Sequence, residues 1–451
     1  MPAASSRARR RGPQTIDLAL QGGGSHGAFT WGVLDRLLEE PWLHFDGVSG
    51  TSAGALNAAV LATGLSEGGA SGRRRAQAAL RAFWDDVAAS GSCFGSAQGG
   101  LLGLPGLPAL SGLPGLAGMS GMSAPSWLPE LSRLAGWNPA GLWLAEFTRL
   151  FSPYQFNPLD INPLREIVRR HVDIDAIRRG ALAVFVNATA VRSGRPRIFH
   201  RADLSHEALL ASACLPQLFR AVELVPAEGG AQAAPEPYWD GGYSGNPALW
   251  PLIYETAALD LVLVKIDPLA RPGTPDTPLE IHDRVNEITF NAGLASEMRA
   301  IAFVQKLHAE GRIDTGHYKN LRLHMVADEA AMAALPPSSK LDTGRAFLQR
   351  LHALGRRTAE AWLAGDAKQL GRRSTLDVRH IFLGETPPAA AAAVAGPQAT
   401  RPGPRAKARQ PGKPAQAAKQ VAPARAARAA SAPKEAAAPA ARRASAPRRR
   451  A

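Results

Sequence analysis

Residues 15–63 repeat one short pattern twice: an apolar strand, a glycine turn, then a helix. Residues 15–20 (Thr-Ile-Asp-Leu-Ala-Leu) read as a buried strand. Gly22, Gly23 and Gly24 follow, then a helix over about 28–40 with Phe29, Val33, Leu34 and Leu37 on one face. A second strand at 44–49 leads through Gly50-Thr51-Ser52-Ala53-Gly54 into a second apolar helix at 53–63. Adjacent parallel strands need long crossovers, and helices are the usual ones, so this alternation predicts an α/β fold with a parallel sheet covered by helices. Further strands are expected at 181–189, 260–266 and 319–326, and long helices at 278–310 and 344–369.

The two turns are also where chemistry can sit. Gly50-x-Ser52-x-Gly54 lies between strand and helix, the context in which such a pattern holds a nucleophile. Small residues two positions either side let the chain turn sharply and lift the Ser52 hydroxyl clear of the backbone. The helix amino end then favours developing negative charge. Gly22, Gly23 and Gly24, with Gly27 opening the next helix, offer bare amides that suit an anion. One use of such a nest is an oxyanion hole. Gly22, Gly24 and Gly27 also satisfy Gly-x-Gly-x-x-Gly, with Asp46 about 20 residues on, as in a dinucleotide fingerprint. A ribose-binding acid should end the second strand, however, whereas Asp46 starts it and the serine turn ends it. No Gly-Lys-Ser/Thr follows the glycines, which excludes a phosphate-loop NTPase. Much later, Asp240-Gly241-Gly242 follows Tyr238-Trp239. It reads either as a simple turn or as a carboxylate freed by its glycines to reach another loop.

Together, Leu18-Ala-Leu-Gln-Gly-Gly-Gly24, Gly47-Val-Ser-Gly-Thr-Ser52-Ala-Gly-Ala-Leu-Asn57, Ala211-Ser-Ala-Cys-Leu-Pro-Gln-Leu-Phe219 and Asp240-Gly-Gly resemble the patatin-like phospholipase family. The resemblance covers about residues 14–260 by motif and extends to about 384. It implies a three-layer α/β/α sandwich around a largely parallel sheet. It implies a serine acyl-ester hydrolase of phospholipase A or lysophospholipase type, needing no metal or cofactor. Ser52 matches the family nucleophile, Asp240 the general base, and Gly22, Gly23 and Gly24 the oxyanion loop. Gly27, Gly50, Gly54, Gly241 and Gly242 are the supporting positions. The family often carries Arg or Lys where this chain has His26, so less fixed positive charge is expected beside the oxyanion. Aspartate ordinarily titrates near 3.9, too low for a good base at neutral pH. Burial beside Trp239 and Tyr243 is expected to raise it. Two other functions fit the same fold: acyl transfer to an alcohol other than water, and a non-catalytic lipid-binding scaffold with a polyanion-binding tail.

The charge lies at the ends of the chain. The 451 residues carry a net +14, but residues 387–451 hold fourteen Lys/Arg against the single acid Glu435, a net of +13. Arg7, Arg9, Arg10 and Arg11 start the chain, and residues 12–386 hold 34 bases against 37 acids. This divides the chain into a basic disordered start (1–13), a hydrolase domain (14–386) and a disordered Ala/Pro/Lys/Arg tail (387–451). The tail carries almost no apolar side chain larger than Ala or Pro, too little burial to offset its ordering entropy. It suits anionic lipid headgroups or unspecific nucleic acid, and no aromatic residues interleave its charges for base stacking. A solvated tail without a partner is the plainer alternative.

Residues 87–129 contain no Asp, Glu, Lys or Arg and repeat Gly-Leu-Pro-Gly-Leu at 103–107 and 112–116. They read as a flexible apolar insertion, either a loop without a role or a lid or lipid-contacting flap. Two cysteines, Cys93 and Cys214, exclude a disulfide scaffold. Histidines such as His206, His282, His308 and His352 fall on helical or surface-like stretches and read as structural, and no metal-ligand spacing is present. No run of about 18 apolar residues suggests a membrane span, and no signal peptide is evident. The expected location is the cytoplasm, peripheral to a membrane surface that supplies the lipid.

Overall fold

The computed structural model describes residues 12–90, 152–225 and 234–385. The basic start up to Arg11, the apolar insertion from 91 onward and the tail lie outside the described residues. Residues 87–90 still belong to a helix that ends at Ser90, with Val87 packed into the core.

Among the described residues, eight strands form one sheet: β1 (Gln14–Leu20), β2 (Leu43–Thr51), β3 (Ala183–Ala190), β4 (Pro196–His200), β5 (Val222–Leu224), β6 (Glu236–Asp240), β7 (Asp260–Val264) and β8 (Arg322–Val326). Their order is β5-β6-β3-β2-β1-β7-β8, with β4 also paired to β3. The five strands β3, β2, β1, β7 and β8 run parallel. β4, β5 and β6 add antiparallel pairs beside β3. The parallel core is therefore the expected one, extended by three short strands, of which the sequence pattern announced only the apolar end of β6 before Asp240.

The helices used below are α1 (Gly27–Leu37), α2 (Ala53–Leu65), α3 (Gly69–Ser90), α4 (His206–Ser212), α5 (Trp250–Glu255), α6 (Pro278–Ala309) and α7 (Arg345–Ala364). Alternate strand residues face opposite ways, and the two faces carry separate cores. Ile16, Leu18, Leu20, Val184, Val186, Val262 and Val264 pack with α1, α2, α3 and α7 on one side. Ala19, Phe185, Leu261 and Leu263 pack with Leu249 and Leu252 and with Leu294, Met298 and Ile301 of α6 on the other. That is a three-layer α/β/α sandwich, as expected.

α2 is buried on nearly every side, which its small residues permit. Pro278 starts α6 behind a Thr277–Glu280 capping box, so its predicted start holds. α7 stops before the predicted 369, because Gly365 interrupts it ahead of a separate 3-10 turn at Asp366–Gln369. β7 ends two residues early, where the Ile266 and Asp267 amides turn aside to donate to Gln21 Oε1 at 2.9 and 2.7 Å.

Candidate active site

Strand register brings the sequence motifs together. Leu20 pairs with Gly50, so the glycine turn after β1 and the serine turn after β2 lie side by side. On β3, Asn187 pairs with Thr51 and the next residue, Ala188, pairs with Asp240. Neighbouring positions of one strand thus hold the ends of β2 and β6, and with them Ser52 and Asp240.

Ser52 has φ 54° and ψ −125°, a conformation that costs a non-glycine residue on the order of 1–3 kcal/mol. Close packing maintains it. A Cβ on Gly22 would stand 2.5 Å from the Thr51 oxygen and 2.7 Å from Ser52 Cβ. Gly50 and Gly54 face each other across the turn, Gly54 lies against the Leu20 carbonyl, and Gly27 lies against Ala53. Each predicted small position thus faces a neighbour that leaves no room for a side chain. The Ser52 amide donates to Ser212 Oγ at 3.0 Å. Ser212 ends α4, inside the sequence block that precedes the aspartate.

Asp240 is fully buried at the end of β6. Its Oδ1 accepts the Gly242 amide at 2.8 Å, and its Oδ2 has no hydrogen-bond partner. Burial pushes its pKa up to about 7, opposed by the Ser52 hydroxyl, the Gly242 amide and the charge of Lys340, and helped by Asp267. The Ser52 hydroxyl is thus near enough to influence the carboxyl, without a hydrogen bond of ordinary geometry to Oδ2. Catalytic hydrogen bonds are often this loose in a site without substrate. Tyr243 forms part of the apolar surroundings, but its partner is Phe290 of α6, at 4.9 Å between ring centres, rather than the half-buried Trp239. Phe290 also covers Gly242, and Gly241 lies against the Asn187 carbonyl.

The glycines of the first turn are not equivalent. The Gly22 amide donates to Asn246 Oδ1 at 2.6 Å, so it is already engaged. No partner engages the Gly23 and Gly24 amides among the described residues. Gly24 has φ +58°, which glycine adopts without strain. His26 is fully buried, with Nε2 2.8 Å from Ser339 Oγ and Nδ1 unpartnered. Burial, then the charges of Lys340 and Arg271, push its pKa down to about 3, so it is neutral at physiological pH.

Sequence reasoning missed the polar stitching beneath the site. Thr51 Oγ1 donates to the Gly245 oxygen, Thr189 Oγ1 to the Asp240 oxygen, and Asn187 Nδ2 to the Gly241 and Gly245 oxygens, each at 2.8 Å. The one available signal was Asn187 and Thr189 ending an otherwise apolar strand. Cys214 is no rival nucleophile. Its Sγ bonds the Arg220 oxygen at 3.0 Å, and burial, reinforced by Asp240, pushes its thiol up to about 12. Among the described residues no three His, Cys, Asp or Glu side chains gather closely enough to ligate a metal. No helix of the described residues is long and apolar enough to cross a membrane.

Fold and site define a class: an α/β protein that presents a serine on a strained strand-to-helix turn, beside a buried carboxyl. The chain belongs to the patatin-like phospholipase family, whose model matches residues 18–253. Solved structures similar to it include VipD from Legionella pneumophila, with 15% identity, 78% of this chain and 72% of that chain covered and a TM-score of 0.30. The type III effector ExoU shares 18% identity over 78% of this chain and 53% of its own, with a TM-score of 0.26. ExoU in complex with SpcU, from the type III secretion system of Pseudomonas aeruginosa, shares 14% over the same fractions, with a TM-score of 0.23. This chain thus spans about half the length of ExoU. At such scores the family match, not these structures, carries the assignment. No curated protein matches the sequence.

Proposed function

We propose that the chain is a serine acyl-ester hydrolase for lipids that works through a Ser52–Asp240 dyad. The observation that supports this most is Asp240 Oδ2: fully buried, without a partner, and beside the hydroxyl of a strained serine. A carboxyl titrating near 7 is largely ionised just above neutral pH and still basic enough to take a proton. Ser52 Oγ attacks the ester carbonyl carbon as its proton passes to Asp240 Oδ2. The carbonyl π pair moves onto oxygen, which the free Gly23 and Gly24 amides suit as donors. Collapse breaks the bond to the leaving alcohol, which takes the proton from Asp240. Water then attacks the acyl-serine, passes its proton to Asp240, and the carboxylic acid departs as Ser52 regains its hydrogen. A fluorophosphonate should label wild type on Ser52 and leave Ser52→Ala unlabelled. Profiling a lipid panel with both proteins should assign the hydrolysed class, and equal hydrolysis by the two would end the reading.

For residues 387–451 we propose recruitment to anionic lipid surfaces, supported by their net +13 and lack of aromatic residues. Deleting them should weaken binding to phosphatidylserine vesicles at low salt while hydrolysis of a short soluble ester stays unchanged. Unaltered vesicle binding would count against this role.

A further inference from the structure

The 3-10 turn Pro337–Leu341 is remote in sequence from the glycine turn, yet meets it at two points and the segment after β7 at a third. Ser339 Oγ lies 2.8 Å from His26 Nε2. The Lys340 carbonyl stands where a Cβ on Gly24 would have to go. The Lys340 ammonium lies 2.5 Å from Asp267 Oδ1. Asp267 follows β7, is fully buried, and apart from that ion pair neither of its carboxylate oxygens has a partner among the described residues. Its Oδ1 would be 3.8 Å from a Cβ on Gly23. A carboxylate therefore stands close behind one of the two glycines whose amides are free.

That placement is a problem for any anion held by those amides. An uncompensated buried carboxylate beside them would repel the developing oxyanion, and in a dry site the repulsion is weakly screened. The turn's own sequence offers no remedy, because its one titratable side chain, His26, is buried and neutral. We propose that Lys340 supplies from a distant segment the positive charge the glycine turn lacks, cancelling Asp267 behind Gly23 while its carbonyl holds Gly24 in place. Lys340 is then a positioning residue: it acts through Asp267 and the turn rather than on substrate. The charged or titratable groups facing this cluster are Asp267, Asp240, His26 and Glu287 around Lys340, Arg271 beside His26 and Glu287, Cys214 and Tyr243 beside Asp240, and the buried Lys265, which bonds the Asp267 main-chain oxygen and feels the Asp267 charge but is ion-paired to Glu329. The inference rests on the Ser52–Asp240 reading, and the experiment separates the two.

Wild type, Lys340→Met, Lys340→Arg and the double variant Lys340→Met/Asp267→Asn are compared on a short soluble ester across pH, with Ser52→Ala as the blank. Lys340→Met should lower kcat by about 10- to 100-fold, short of or equal to the loss of an oxyanion donor. KM should change less than about threefold, since ground-state binding is untouched. Its kcat/KM midpoint should move to higher pH, because the lost cation had held Asp240 down. Lys340→Arg should keep most of the rate. The double variant should recover to within about fivefold of wild type and restore the midpoint, since removing both partners of a buried pair leaves no charge unpaired. A Lys340→Met enzyme with wild-type kcat and midpoint overturns the inference, and so does a double variant no faster than Lys340→Met. If Lys340→Met fails to fold, the double variant decides: active supports the role, inactive overturns it. A wild-type chain no more active than Ser52→Ala sinks the hydrolase reading instead.

Discussion

Two buried aspartates in this molecule titrate near 7 for the same reason, and only one stands in a site. Asp17 on β1 and Asp240 on β6 are both fully buried, and burial raises both. Each keeps one carboxylate oxygen without a partner, and each has a hydroxyl nearby. The hydroxyls differ. Thr256 Oγ1 lies 2.6 Å from both Asp17 Oδ2 and the Leu252 oxygen, on relaxed backbone with φ −114°. Lys319 Nζ, 3.2 Å from that hydroxyl, adds a cation. Ser52 sits instead at φ 54°, beside amides that nothing among the described residues engages. A shifted carboxyl is therefore a weak marker of chemistry. The strained hydroxyl and the free amides mark the site.

Activity should separate the pair most sharply. Asp240→Asn and Ser52→Ala should each lower kcat/KM by about 10⁴-fold or more, the scale on which dyad-type residues act. Asp17→Asn should stay within about threefold, as a substitution outside the site does. In wild type, kcat/KM should rise with pH through about 7 as Asp240 ionises, and Asp17→Asn should leave that midpoint in place. Equal losses at positions 17 and 240 would erase the distinction.

Stability should show what the two share. The folded pKa of Asp17, about 7, lies above its ordinary 3.8, so the folded chain holds that proton more tightly than the unfolded chain. The resulting penalty is absent below about pH 4, grows between the two values, and is complete above 7. Asp17→Asn should therefore flatten the dependence of Tm on pH between 5 and 8 and stabilise the protein at pH 8, by on the order of 2 kcal/mol. Asp240 and Glu297, also raised to about 7, keep part of the slope, and a full wild-type slope in that variant would show that Asp17 contributes none of it.

The smallest effect concerns Ser212, whose Oγ accepts the Ser52 amide. Ser212→Ala should cost about 1 kcal/mol by denaturant unfolding, since it orphans a buried donor. Its kcat should fall by about tenfold if the bond holds the strained turn, as small displacements of reacting groups do. A full loss of stability with unchanged kcat would make Ser212 a packing residue only.

How much was legible in the sequence follows from how local each requirement is. Gly22, Gly24, Gly50 and Gly54 could be read because a sharp turn excludes bulk within a few residues. Ser52 and Asp240 could be read because each closes an apolar strand into glycines. The environment of Asp240 was read only in part: Tyr243 was anticipated, while Phe290 arrives from α6 and leaves no local trace. Asn187, Thr189 and Asn246 act through strand register and a loop return, which no spacing along the chain encodes. The Gly22 amide looked free until Asn246 was seen to occupy it. Antiparallel β4 and β5 were missed, being short and only partly buried, and of β6 only its apolar end before Asp240 was read.

One strand carries a wider consequence. β3 measures the distance between the two reactive groups, since consecutive residues on it pair with Thr51 and Asp240. The chain between them can then lengthen or shorten in its loops at little more than a logarithmic entropic cost. A slip of β6 by a single residue along β3 would turn the carboxyl to the opposite face. Tolerance to large insertions and intolerance to the smallest offset are thus properties of the same ruler.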